Sequence, residues 1–434
     1  MAVADHLTLG TNAFDLSVFD YALWSTAQGW RDGLVPFLGQ SLYSHHFMPT
    51  LSVLLPIYQF LPSPLFLIGV QVAAFAGAGL CVAWRARRSL PPLAAFALTA
   101  AFLLGRRAHG MSNSVFYVEC LEPVLLFGAV WAGEKRRFVL YGVFLLLALG
   151  CNENVALYTA AYGLVLMVQR STRPLGLATL AISVLWAVVA VRVIIPAERA
   201  LDGLPFDYAF VTERYGEAPV AESIGRLFRF EALRRVLSLT LMTGWICWLA
   251  PRWLIVLVPG LLLNLAAKDD ALQSGLVGHY LWPVVPFLFL AAIDGAALLA
   301  RHRPRALRVW ATLLLIGIAV ESPVLRPWRF RDAWRVHDRA AAVRTALAAI
   351  PPEASVLAQP QLVPHIAKRA AMGALGAQQL GQPATAQVVV LSRLGDQWPL
   401  STADFDAMVR LLENDPNYVR SHTVEDLVMF TRRP

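Results

Sequence analysis

Residues 280–300 read YLWPVVPFLFLAAIDGAALLA, residues 301–305 read RHRPR, and a second apolar run follows over 306–321. An α-helix rises about 1.5 Å per residue, so about 20 apolar residues cross the roughly 30 Å of hydrocarbon in a bilayer. The first run has that length, and the second reaches it by borrowing its flanks. Arg301, Arg303, Arg305 and Arg308 between them resist translocation, which marks this connection as cytoplasmic. Toward the N-terminus, further apolar segments run near 63–84, 90–105, 119–133, 138–151, 154–169, 174–195, 236–250 and 253–267. The intervening cations are Arg85, Arg87 and Arg88; Lys135, Arg136 and Arg137; Arg170 and Arg173; and Arg252. If each segment crosses once, all of them fall on one side, and Glu134 is the only acid among those loops. The sequence thus predicts an α-helical integral membrane protein with about ten transmembrane helices.

Composition agrees. Of 434 residues, 57% are hydrophobic and 15% charged, where soluble domains carry about 25% charged residues. The net charge of +8 is not read as a nucleic-acid signal, because the cations sit in short clusters between apolar runs. Cys81, Cys120, Cys151 and Cys247 are widely spaced without a CxxC and read as buried membrane thiols. The stretch 138–169 admits a second reading, one long helix with Asn152-Glu153-Asn154 at its middle, which would reverse every later crossing. A hairpin keeps the basic loops together and is the expectation.

The opposite side then receives residues 1–62, the loops 106–118, 152–153, 196–235 and 268–279, and everything after about 322. Between Ile224 and Leu237 arginines interleave with apolar residues, as in a helix lying in the membrane interface. Three regions result: a first outer loop over 1–62, a transmembrane domain over 63–325 and a soluble α/β domain over 326–434. In the last, helices are expected at 336–349, 361–369 and 402–413, strands at 355–358 and 387–391, and two closing strands around Glu425-Asp426. Neither GxGxxG nor GxxxxGK[ST] occurs, so no nucleotide site is expected.

Ionisable residues at a membrane boundary are costly and therefore informative. Five groups collect on this outer side. Asp15 shares a helical stripe with Phe19 and Ala22, with Asp20 about 140° away at 100° per residue; alternatively Asp15 caps an interfacial helix. His45 and His46 point apart on a helix and make a poor chelating pair, so snorkelling, a phosphate contact and proton transfer all stay open. Arg106 and Arg107 run against the positive-inside trend, which suggests that they hold an anion. Glu119 and Glu122 share a face and are expected either to pair with those cations or to act in function. Glu153 lies at the tip of a short hairpin, below the headgroups, and needs a partner or a proton. Lys268, Asp269, Asp270, His279 and Tyr280 make the fifth group, read as a solvated loop. No internal repeat of the transporter kind is found.

The runs FDLSVFDYALW at 14–24, SHHFMPTL at 44–51, LPSPLFLIGVQ at 61–71, CNENVALY at 151–158 and IPPEASVLAQPQLVPHIAKR at 350–369 resemble, in order and over most of the chain, a bacterial family of polytopic membrane proteins of unknown function. That family in turn resembles the GT-C clan of glycosyltransferases, which take sugars from polyprenyl-phosphate carriers at the outer membrane face. The resemblance implies a bacterial inner-membrane protein with its terminal domain outside. Its partners would be a lipid-linked sugar donor, an envelope acceptor and membrane lipid, with no nucleic acid.

Asp15 falls at the clan's acidic position, and His46-Phe47-Met48-Pro49 resembles its second motif. The implied chemistry makes Asp15 the base, with Asp20 in reserve. His45, His46, Arg106, Arg107, Glu119, Glu122 and Glu153 would bind substrate, with Arg106, Arg107 or His46 neutralising the leaving phosphate. No cofactor is implied, although a divalent ion could bridge carboxylate and phosphate. Two departures stand out. The clan has a spanning helix before the first outer loop, so either the natural start lies upstream of Met1, which is the expectation, or the loop reaches the outer face as a translocated N-terminus. The family's Lys-Glu-Asp also appears as Asn152-Glu153-Asn154, and its second acidic motif as Glu119-Cys120-Leu121-Glu122-Pro123, preceded by Tyr117. A transporter or flippase and a non-catalytic scaffold are the rival classes.

Overall fold

The computed structural model describes residues 2–30, 33–112, 115–205, 215, 220–268, 273–325, 337–376, 385–395, 397–398 and 400–433. Asp269, Asp270 and the expected domain junction at 326 lie outside the described residues. The chain is mostly helical, with a small C-terminal sheet. The bundle comprises α1 (Pro64–Ser89), α2 (Pro92–Leu104), α3 (Glu122–Glu134), α4 (Phe138–Leu149), α5 (Val155–Met167) and α6 (Arg173–Leu201). It is completed by α7 (Pro251–Ala266), α8 (Val284–His302) and α9 (Pro304–Glu321). Among the described residues, Pro64–Ser89, Arg173–Leu201 and Gly278–His302 are each long and apolar enough to cross a membrane. Other apolar helices, such as α4, α5 and α7, are shorter.

Local chemistry sets these boundaries. Ser63 accepts the Leu65 amide and Pro64 opens α1, whose last turn carries Arg87 and Arg88, where cations complement the helix dipole. Helix α8 forms the centre, its residues Val284–Ile293 all buried. Helices α5 and α6 cross closely, because a Cβ on Gly163 would lie 2.8 Å from the Gly176 carbonyl oxygen; small residues permit that approach. Hydrogen bonds from Tyr141 to Thr179 (2.6 Å) and from Ser183 to Thr159 (2.8 Å) link helices inside the bundle.

The charges sort by end. Arg85 of α1 bonds Glu134 at the end of α3, and Arg252 of α7 lies 2.5 Å from Asp294 of α8. Gln71 of α1, Glu122 of α3 and the Gly278–Leu281 turn before α8 stand at the other end. Along α3 that separation, Glu122 to Glu134, amounts to about 18 Å. The break at 150–154 divides α4 from α5, as the hairpin reading requires.

The predicted crossing at 236–250 takes a different form. A helix over Phe230–Thr240 gives way to short turns through Gly244 (φ 54°) and Trp245 (φ 59°), then to a 3-10 turn at Ile246–Leu249. Glycine accepts the left-handed conformation at Gly244. Irregular backbone at membrane depth needs its polar groups satisfied, and indoles supply part of this. Trp310 donates to the Gly244 carbonyl (3.1 Å) and Trp245 to the Leu237 carbonyl (2.9 Å). The expected interfacial helix is split into Val220–Leu227 and Phe230–Thr240, and Phe228 and Phe230 at the break are exposed.

Strands β1 (Leu34–Val35) and β2 (Gln40–Ser41) form a small hairpin in the first loop. The C-terminal sheet contains β3 (Val356–Ala358), β4 (Met372–Ala374), β5 (Val388–Ser392), β6 (Tyr418–Val424) and β7 (Leu427–Arg432) in the order β4-β3-β5-β7-β6. Its first three strands are parallel and the others antiparallel. One face packs on the helix Thr402–Asn414, opened by a Ser401/Asp404 capping box. The other packs on the helix His337–Ala348 and on Leu9, Ala13 and Tyr21 of the first loop. Residues at the two ends of the chain therefore share one core. Gly395 (φ 89°) is required there, since a Cβ would meet the Leu9 carbonyl oxygen at 2.3 Å.

Candidate functional site

Asn12 accepts the Phe14 amide (3.1 Å) and starts a π-turn over Ala13–Ser17 that carries Asp15, half-buried. The Tyr117 hydroxyl donates to the Asp15 carboxylate. Its ring stacks on His279, with centroids 4.2 Å apart, and takes the edge of Phe19 at 5.6 Å, while its backbone N–H donates to Gln71 (3.3 Å). Burial and the Asp15 charge push the Tyr117 phenol well above its ordinary pKa, so it remains a donor. The stripe expected for Asp15 and Phe19 is thus directed at one tyrosine.

Two residues beyond Tyr117, Glu119 accepts a hydrogen bond from Asn152 (3.0 Å). Its other oxygen, and both oxygens of the fully buried Glu122, have no hydrogen-bond partner among the described residues. The expected pairing of these carboxylates with Arg106 and Arg107 is absent from the described contacts. Glu153 accepts from His46 Nδ1 (2.7 Å) and from the Phe47 amide (3.1 Å). Both His46 and Glu153 lie within electrostatic reach of Glu119. Asp15, Tyr117, Glu119, Asn152, Glu153 and His46 therefore form a continuous polar line at one end of the bundle.

The remaining predicted residues sit apart from that line. Asp20 is buried, accepts from Tyr58 (2.7 Å) and lies 3.5 Å from Lys368 Nζ. Burial raises its pKa, while Lys368 and Tyr58 oppose the shift; burial likewise lowers Lys368, with Asp20 opposing. His45 bonds Gln40. Burial first, then the charges of His46 and Arg199, take its pKa down to about 4. Arg107 donates to the Leu276 carbonyl (2.8 Å) and Ser238 (2.7 Å), and Arg106 is exposed. Among the described residues, no three His, Cys, Asp or Glu side chains converge as a metal site would require.

Sequence reasoning did not single out Lys368 or Tyr58, although Lys368 stands in the tail motif at 350–369. It also missed a buried polar chain in which Gln273 donates to Asn264 (3.0 Å) and to Tyr215 (3.1 Å). Tyr117, noted only as preceding the second acidic motif, proves to donate to Asp15.

Residues 5–423 match the model of a family described as predicted membrane protein, DUF2079. The chain belongs to that family. No curated protein and no solved structure matches this DUF2079 chain. Membership establishes a predicted membrane protein, in keeping with the apolar helices, and leaves its activity to be argued from the site.

Proposed function

We propose that this DUF2079 chain is a GT-C-like membrane glycosyltransferase that moves a sugar from a polyprenyl-phosphate carrier to an envelope acceptor. In this reading about ten segments cross the inner membrane, the basic loops are cytoplasmic, and the first loop and C-terminal α/β domain lie on the periplasmic or extracellular side. The sorting of Arg85, Glu134, Arg252 and Asp294 to the end opposite Gln71 and Tyr117 supports that topology. The observation carrying the function is Asp15 itself: a half-buried carboxylate oriented by the Tyr117 hydroxyl, next to Phe14, whose ring makes a T-shaped contact with the Trp398 indole at 5.6 Å.

The chemistry is a single displacement. An acceptor hydroxyl attacks the anomeric carbon, its proton passes to Asp15, and the bond from that carbon to the phosphate oxygen breaks, releasing polyprenyl phosphate. His46, on the same polar line as Asp15, supplies positive charge for the leaving phosphate. The chain in vesicles with a radiolabelled polyprenyl-phosphate hexose should transfer label to an envelope glycan fraction. Asp15→Asn should lower the rate by at least about a hundredfold; unchanged turnover would remove Asp15 from the mechanism. The second reading is transport, favoured by one oxygen of Glu119 and both of Glu122, which have no hydrogen-bond partner among the described residues. Movement of solute or lipid in the same vesicles, without a new glycosidic bond, would select it.

A further inference from the structure

We propose that the groove between α1 and α3, at the basic end of the bundle, binds an anionic phospholipid. The two helices touch where a Cβ on Gly77 would meet Val124 at 3.6 Å. Toward the Arg85–Glu134 pair they leave a cavity of about 370 Å³, lined by Leu80, Cys81, Trp84, Phe127, Trp131 and Leu290. Leu290 of α8 closes its floor and is buried, while Leu80 at its rim is 70% exposed. The volume falls in the range of small-ligand sites, and the apolar walls suit an acyl chain.

The mouth has a different chemistry. Trp84 and Trp131, which wall the cavity, each carry a guanidinium on one face: Arg88 at 3.9 Å and Arg137 at 5.1 Å from the ring centroids. Arg85 gives two N–H groups to Glu134, which leaves Arg88 and Arg137 as forks for an anion. The same two segments add Arg87, Lys135 and Arg136, with Glu134 the one acid between residues 80 and 118 or 123 and 137. A phosphodiester accepts paired N–H bonds from a guanidinium, and basic pockets between membrane helices recruit anionic headgroups. A zwitterionic lipid brings its own cation to this rim and gains less. The occupant is thus a lipid with its chain in the groove and its phosphate between Arg88 and Arg137. This holds whether or not the protein transfers sugar.

Tryptophan quenching tests it, using the full chain in vesicles that contain acyl-brominated phosphatidylglycerol or acyl-brominated phosphatidylcholine. Subtracting the signal of a Trp84→Phe/Trp131→Phe variant isolates the groove. Phosphatidylglycerol should quench that component at a mole fraction at least about threefold lower than phosphatidylcholine. Arg88→Gln/Arg137→Gln should erase the difference, and Arg88→Lys/Arg137→Lys should retain most of it, which guards against a folding defect. Cys81→Phe, which fills the groove with both arginines in place, should weaken quenching by either lipid. Equal quenching of the wild type by the two lipids, or a preference untouched by the Gln pair, would overturn the proposal.

Discussion

Replacing Lys368 by Met keeps the length of the side chain and removes its charge. What remains is the Asp20 carboxylate, 1% exposed, held by the Tyr58 hydroxyl at 2.7 Å. Deleting one member of a buried ion pair costs about 3–5 kcal/mol, because the other charge stays desolvated. Lys368 is 26% exposed, so solvent already screens part of the attraction and the lower figure, about 3 kcal/mol, applies. That energy is about a hundredfold in the equilibrium between docked and undocked C-terminal domain. Asp20→Asn should cost less, about 1 kcal/mol, since the amide oxygen can still accept from Tyr58. The double variant should recover most of the Lys368→Met loss, as expected for directly coupled partners. Hydrogen exchange in lipid nanodiscs, followed over residues 12–27 and 355–376, reads the docking directly. The reasoning fails if Lys368→Met loses no more protection than Asp20→Asn, or if the double variant shows the sum of the two losses.

Two further perturbations probe the same end of the molecule. His6 stacks on His365 at 4.4 Å, and burial, then the charge of Arg344, hold its pKa at about 4 against 6.5 when free. A depressed folded pKa means that the stabilisation is complete above 6.5 and is lost as pH falls toward 4. Through His6 docking should weaken by about 2 kcal/mol at pH 5, visible as faster exchange over residues 2–12; His6→Phe should lessen the pH dependence, and the remainder belongs to His365, whose pKa burial also holds well below the free value. Glu153→Gln removes the charge that holds His46 and the Phe47 amide. Charge-assisted bonds are worth about 1.5–3 kcal/mol, so exchange at Phe47 should accelerate by at least about tenfold in the native bundle, and unchanged exchange would show that the pair does not hold the loop.

Much of this architecture was legible because its cause is local. A charge in hydrocarbon costs a few kcal/mol wherever it lies, so the clusters at Arg85–Arg88 and Lys135–Arg137 declared their end of the bundle without knowledge of any contact. The alternation of strand and helix signals likewise exposed β5, the helix Thr402–Asn414 and the closing β6–β7 hairpin. Other features depended on partners remote in sequence. The segment 361–369 carries helix-like apolar spacing, yet Pro360 and Pro364 remove amide donors and the chain settles into a 3-10 turn over Pro360–His365. Strand β4 has three residues, too few for a periodic signal. The break at Gly244 and Trp245 is supported by Trp310, 66 positions away, which reaches the freed carbonyl. Nothing in residues 14–24 announces Lys368, whose approach to Asp20 exists only after the two ends of the chain have folded together.

That late contact also separates the roles of two carboxylates which the sequence left as alternatives. Asp15 and Asp20 are five positions apart, and the Val18–Ala27 helix that follows the π-turn connects them rigidly. Asp20 is consumed by Tyr58 and Lys368, and the neighbouring Tyr21 hydroxyl donates to the Arg369 carbonyl at 3.1 Å. These bonds tie the helix to the C-terminal sheet, whose core already includes Leu9, Ala13 and Tyr21. A base enclosed by such a lattice would have no access to an acceptor hydroxyl, whereas Asp15, one turn earlier, stays half-exposed. On the proposed reading Asp20 is a positioning residue: its bonds hold the helix against the sheet, and so fix the carboxylate that faces Tyr117.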